Sequence, residues 1–302
     1  MIPEFPQFKN LELSDKKDVE EFTSKFPPYS DFNFVSMWSW DIKEEMKISQ
    51  LNGNLVVRFT DYLTREPFYS FLGNYKVNET VKKLLHLSGE EGLKLQLKLV
   101  PEDSMKNIDT TRFKIEEDMD NFDYIYDIPA LAELKGSPYQ SHRNSIKQFL
   151  KNYKNWEVKI IDFSEINNRN NIISLFTQWI KNKKDSLLLE EYKNEFLSLN
   201  KLLSTENSSL LDLICFALYI DNSLSGFIIN GHTNGYNTIH FEKANTSFKG
   251  CYNFLMQQNS KTLDNLVIDK LNFEQDLGIN SLRFTKTQLN PCSFLKKYLI
   301  TA

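Results

Sequence analysis

Within four residues the chain sets an imidazole, a carboxylate and an ammonium: His240, Glu242 and Lys243. Together they suit acyl transfer to an amine. Attack of the amine on an ester needs a proton removed, a task for Glu242 or His240 acting directly or through water. The tetrahedral oxyanion needs a donor, which Lys243 or the backbone N–H groups near Gly250 can supply. Glu274 follows a strand-like run and can orient an amine. Each residue also has a purely structural reading. Glu242 and Lys243 can close a strand end as an ion pair, His240 can be a satisfied core histidine, and Glu274 and Asp276 can be helix N-terminal acids. An exposed Lys243 would contribute about one kcal/mol or less to stability. Cys251 stands at a helix start, where a thiol pKa can fall, although a small buried thiol is the plainer expectation.

A second set is electrostatic. Arg143, Lys147, Lys151 and Lys154 fall at spacings of four, four and three and so line one stripe of a helix. Leu134 to Trp156 carries five cations and no anion, so these side chains lack acids one turn away and are free to meet phosphates. A solvated helix face is the alternative. The preceding stretch, Ile115 to Asp127, has the opposite sign, with Glu116, Glu117, Asp118, Asp120, Asp123 and Asp127 and no cation.

The elements that hold these residues follow from periodicity. Leu218–Ile220, Leu224–Ile229 and Thr238–Lys243 read as strands of a meander, with Asn234-Gly235 as a hairpin signal. Alternation along the third puts His240 and Glu242 on one face, Phe241 and Lys243 on the other. A loop through Gly250 leads to a helix with Tyr252, Leu255, Met256, Leu263 and Leu266 on its apolar spacing. Such a turn aims backbone N–H groups at a phosphate or an oxyanion. A strand over Leu266–Phe273 and a helix over Leu277–Leu289 follow. Earlier, Met46–Leu51 and Leu55–Phe59 flank Asn52-Gly53, Phe68–Leu72 adds a strand, Glu79–Leu87 a helix and Leu93–Leu99 an alternating strand. The same succession occurring twice predicts a duplicated α+β fold. Helices are also expected over Leu11–Phe26 with Ser14 as N-cap, over Pro138–Tyr153, and twice between Ile172 and Leu203. The polar run Ser204 to Ser209 should end the last of them. The aromatic run SDFNFVSMWSW, residues 30–40, reads as a core element.

Composition bounds the function. The 302 residues can bury a sizeable core and make two domains, and 41% hydrophobic residues exclude disorder. A net charge of −4 advertises no nucleic acid globally, so any such partner must meet a local patch. Three dispersed cysteines show no zinc spacing and predict a reduced, cytoplasmic protein. No signal-peptide layout and no membrane-length apolar run occurs. Signatures of hydrolases, zincins and nucleotide triphosphatases are missing.

Four blocks carry a family resemblance: SDFNFVSMWSW, FDYIYDIPALAELKGSPYQSHRNSIKQFLKNY, HFEKANTSFKGCYNF and NFEQDLGINSLRFTKTQLNP. In them the chain resembles bacterial tandem GNAT-fold proteins related to the C-terminal domain of phosphatidylglycerol lysyltransferases, and more distantly the Fem-type transferases. The resemblance implies an α+β fold with mixed sheets in two GNAT-like domains, the second carrying the site, and the switch of charge sign near Asp127 to Gly136 divides them into 1–130 and 131–302. It also implies an aminoacyl-tRNA donor, with Arg143, Lys147, Lys151 and Lys154 at its phosphates, and a small-molecule, peptide or lipid head-group acceptor. An acyl-CoA donor is the alternative, its pyrophosphate on the N–H groups of Lys249, Gly250, Cys251 and Tyr252. Against it, the run Ser247 to Tyr252 keeps one glycine of the usual coenzyme A loop, and Tyr252 would crowd the pyrophosphate. A non-catalytic tandem GNAT module that binds a nucleic acid or protein is the third reading.

Overall fold

The computed structural model describes residues 1–182, 189–204 and 211–302. The chain makes two compact units. In chain order the first stretch supplies β1 (Lys9–Asn10), α1 (Lys16–Thr23), α2 (Phe34–Trp40), β2 (Lys47–Leu51), β3 (Asn54–Thr60), β4 (Pro67–Leu72), α3 (Val77–Glu90), β5 (Gln96–Pro101) and β6 (Lys114–Glu117). Then come β7 (Asp123–Asp127), α4 (Ile128–Glu133), α5 (Gln140–Asn152), β8 (Trp156–Ile161), α6 (Ile166–Asn182) and α7 (Leu189–Leu203). The chain continues through β9 (Leu213–Ile220), β10 (Ser223–Thr233), β11 (Tyr236–Ala244), α8 (Cys251–Asn265), β12 (Lys270–Asn272), α9 (Asn280–Gln288), β13 (Ser293–Leu295) and β14 (Lys297–Thr301). Of the polar run Ser204 to Ser209, residues 205–209 lie outside the described residues.

The units are not the contiguous halves expected from residues 1–130 and 131–302. The first comprises Met1–Asp123, Gln275–Arg283 and Phe294–Ala302, and the second Tyr124–Glu274 and Phe284–Ser293. The reason is β14, which inserts between β5 and β6 and completes a seven-stranded sheet of order β1-β2-β3-β4-β5-β14-β6. Unit 2 is built on a second seven-stranded sheet, β13-β7-β12-β11-β10-β9-β8.

Both units repeat one scheme. Strands β2, β3 and β4 form an antiparallel meander, α3 crosses over, and β5 pairs parallel to β4. Strands β9, β10 and β11 do the same, α8 crosses over, and β12 pairs parallel to β11. The expected duplication is present, but the two Asn-Gly turns do not correspond within it. Asn52-Gly53 joins the first and second strands of its meander, whereas Asn234-Gly235 joins the second and third. Each hairpin needed positive φ, and Asn-Gly supplied it at different places.

Local predictions hold with shifted ends: α3 and β9 to β11 run longer than expected, whereas α1 and β12 are shorter. The aromatic run becomes α2 and a preceding turn, capped by the Asn33 side chain on the Val35 and Ser36 amides, with Phe32, Phe34 and Met37 buried. Glu12 and Asp15 cap reciprocally the 3₁₀ turn Leu13–Asp15 that leads into α1, whose N-cap is Asp15 rather than the expected Ser14. The acidic run ending at Asp127 is partnered rather than free. Asp123, with Asp31, surrounds the Lys297 ammonium at zero exposure, Asp123 at 2.8 Å. Ser30 and Gln275 complete that cluster in unit 1, their oxygens 3.1 and 3.3 Å from the ammonium. Burial pulls the Lys297 pKa down, but Asp123 and Asp31 outweigh it and raise it.

Candidate active site

The site of unit 2 lies where β11 outruns its parallel neighbour. Pairing with β12 ends at Thr238↔Asn272, and His240, Glu242 and Lys243 all lie beyond that pair. A β-bulge then breaks the expected alternation. Phe241 pairs with Ile229 and Ile239 with Asn230, so the ladder passes over His240. One extra residue reverses the facing of everything beyond it. Ile239 and Glu242 therefore share the face of Ile228, on the core side of α8, and His240 and Glu242 are not face-mates.

His240 instead meets Glu274, its Nδ1 3.5 Å from the Glu274 carboxylate. The ring is seated against Gly231, where a Cβ would lie 2.7 Å from Nε2, so only glycine fits opposite the bulge. Glu274 is held in a left-handed conformation with φ of 55°, its N–H on Asn272 Oδ1.

Glu242 keeps some accessible surface, and among the described residues no hydrogen-bond donor reaches its carboxylate. Burial drives its pKa up to about 7, against the opposing pull of Lys243 and Lys286. A carboxyl group titrating there can take or give a proton at neutral pH.

Lys243 is no free cation. It is 7% exposed, its ammonium lies 2.5 Å from Glu195 of α7, and it stands 4.5 Å from the Trp179 ring centre and 5.2 Å from that of Phe176. The ion pair foreseen with Glu242 is made with Glu195 instead, because neighbours on a strand point to opposite faces. Lys286 of α9 was invisible to pattern reading. Its ammonium donates to the Phe273 carbonyl, lies 4.7 Å from the Phe273 ring centre, and acts on Glu242. Asp276 is structural, accepting from Arg283 at 2.9 Å.

The turn before α8 is closed rather than an open anion cradle. The Lys249 N–H goes to the Tyr153 hydroxyl and the Cys251 N–H to the Phe248 carbonyl. Gly250, at φ of 85°, lets Ser145 of α5 approach; a Cβ there would lie 2.5 Å from the Ser145 carbonyl oxygen. Cys251 is buried and its thiol pKa is pushed up to about 12, chiefly by burial, so it is the small buried thiol. Tyr252 packs on the core, and burial raises its phenol pKa. The equivalent turn of unit 1 is plugged too, by Asn54, which accepts from the Tyr75 N–H and donates to the Tyr75 carbonyl.

On α5 the stripe forms but is partly engaged. Arg143 donates to the carbonyls of Leu134 and Gly136 and to Gln140, and Lys154 to the Leu150 carbonyl. These bonds fix the side chains and leave the charge. Lys147 and Lys151 are exposed, with no ion-pair partner among the described residues.

A duplicated meander–helix–strand unit with a parallel opening at β11 and β12 defines a tandem GNAT-fold protein of the acyl- or aminoacyltransferase type. The chain belongs to the family described as phosphatidylglycerol lysyltransferase, C-terminal, which matches residues 25–301. Among solved structures it is similar to a conserved protein of unknown function from Bacteroides thetaiotaomicron VPI-5482, with 25% identity, 99% of both chains covered and a TM-score of 0.82. It is similar in fold to the C-terminal domain of a putative lysylphosphatidylglycerol synthetase from Agrobacterium fabrum, with 11% identity over 96% of this chain and 92% of that one, TM-score 0.65. The L-PGS of Bacillus licheniformis gives 12% identity over 100% and 93%, TM-score 0.63. No match was found among curated proteins. Among the described residues no helix is long and apolar enough to cross a membrane.

Proposed function

We propose that the protein transfers an aminoacyl group from aminoacyl-tRNA to an amine or hydroxyl acceptor, a lipid head-group or a peptide, with Glu242 as general base. The carrying observation is the Glu242 carboxyl group, poised near neutrality on the strand that outruns β12. The acceptor attacks the aminoacyl ester carbonyl and passes its proton to Glu242. Collapse of the tetrahedral intermediate then expels the ribose oxygen of the tRNA, which takes that proton back from Glu242 and leaves as the hydroxyl. Lys243 and Lys286 hold Glu242 below the still higher pKa that burial alone would impose. The His240–Glu274 pair provides a second proton acceptor. Arg143, Lys147, Lys151 and Lys154 hold the tRNA phosphates, and a charged-tRNA donor places the reaction in the cytoplasm.

An acyl-CoA donor has weaker support, because two of the amides needed for its pyrophosphate already have protein acceptors. The test is a transfer assay with a panel of aminoacyl-tRNAs against lipid and peptide acceptors. Glu242→Gln should lose about a hundredfold or more in rate. Full activity in that variant, or transfer from acyl-CoA alone, would overturn the proposal.

A further inference from the structure

Strand β8 ends its sheet: it pairs with β9, and among the described residues no strand lies on its other side. Such an edge offers a row of N–H and C=O groups to another chain. Which residues offer them follows from one bond. The Asp221 N–H donates to the Asn155 carbonyl, so Asn155 is turned toward β9. Backbone groups alternate sides along a strand, so Glu157, Lys159 and Ile161 also bond to β9. Trp156, Val158 and Ile160 point theirs outward.

The side chains of this edge are complementary to their own reverse. Trp156 packs on Phe254 yet stays 38% exposed, and Ile160 on the same face is 55% exposed. On the opposite face Glu157 and Lys159 are both exposed and pair with each other at 2.9 Å. About a two-fold axis through Val158, an antiparallel second copy would set Trp156 opposite Ile160 and Glu157 opposite Lys159. The outward-pointing residues then fall in the hydrogen-bonded pairs, giving about six new backbone bonds. The opposite charges fall in the non-bonded pairs, where side chains come closest. Lysine on an edge strand normally discourages pairing. Here its charge is matched in a register that also satisfies the backbone.

We propose that β8 is a self-association edge, at which two copies of this chain join their unit 2 sheets in antiparallel register centred on Val158. A six-residue strand buries less than a permanent dimer needs, so the association is concentration-dependent. The partner is a second copy rather than an arbitrary strand because the charges and apolar residues match only under reversal.

Sedimentation over about 1 to 300 µM tests this. The wild type should dimerise. Glu157→Lys alone, or Lys159→Glu alone, should weaken association by about tenfold or more, since each places like charges opposite at two symmetric positions. Mixing these two variants should restore dimers as heterodimers, and the double exchange in one chain should restore homodimers. Both single variants lose the ion pair within the strand, so rescue by mixing isolates the contact between chains; circular dichroism melts confirm that they fold. A wild type that remains monomeric, single variants that dimerise normally, or a mixture that stays monomeric each overturn the proposal.

Discussion

Lys243 and Glu195 meet at 2.5 Å beneath the rings of Trp179 and Phe176, joining the end of β11 to α7. The lysine is nearly buried and Glu195 only 21% exposed, so this pair differs in kind from a surface salt bridge. Lys243→Met should destabilise the protein by about 2–3 kcal/mol, because Glu195 is left without its cation. Adding Glu195→Gln should recover part of that loss. Chemical denaturation of the single and double variants checks it; a single variant as stable as the wild type would show the pair to be idle.

Glu242 predicts a stability curve with an unusual sign. Its folded pKa of about 7 lies above the ordinary carboxyl value of 4.5, so the folded state binds the proton more tightly. Folding is therefore unpenalised below about pH 4.5, loses stability as pH rises toward 7, and carries the full cost above it. Glu242→Gln should thus raise stability at pH 8 by roughly 1–3 kcal/mol and leave it nearly unchanged at pH 4. The transfer rate of the wild type should rise through the same range. Melts at the two pH values and a pH–rate profile read both effects.

Gly250→Ala meets two penalties at once. The φ of 85° is one that side chains rarely adopt, and the new Cβ would lie 2.5 Å from the Ser145 carbonyl oxygen, a backbone atom that cannot rotate away. We expect a loss of about 2–4 kcal/mol, with the start of α8 displaced from α5. Gly235→Ala, also at positive φ but in open space, should cost only about 1 kcal/mol. Equal melting temperatures for the two variants would contradict this.

Lys297→Met should be the most damaging single change outside the site. It leaves Asp31 and Asp123 at zero exposure without their cation, a loss of about 3–5 kcal/mol. Replacing Asp31 by Asn as well should recover part of it. Denaturation of unit 1, followed through the buried Tyr69, is the measurement.

The duplicated scheme was legible because meanders and crossover helices write their periods locally. The α5 stripe was legible for the same reason. The facing of His240 was not, since a bulge arises from pairing with β10 and leaves the strand's own composition unchanged. Glu195 and Lys286 were hidden because each reaches β11 from a distant helix, and nothing near them in sequence marks the encounter. Lys297 reads as one more lysine beside Lys296. Its meaning depends on aspartates more than 170 residues earlier.

The insertion of β14 between β5 and β6 has a consequence for biosynthesis. A ribosome delivers β5 and β6 long before Lys297, and until then the gap between them has no occupant and Asp31 and Asp123 have no counter-ion. Unit 2 starts later, yet its last segment, Phe284–Ser293, leaves the ribosome before unit 1 receives β14. The segment made first is therefore completed last, and a chain arrested before Lys297 would expose two unpaired strand edges to chaperones and proteases.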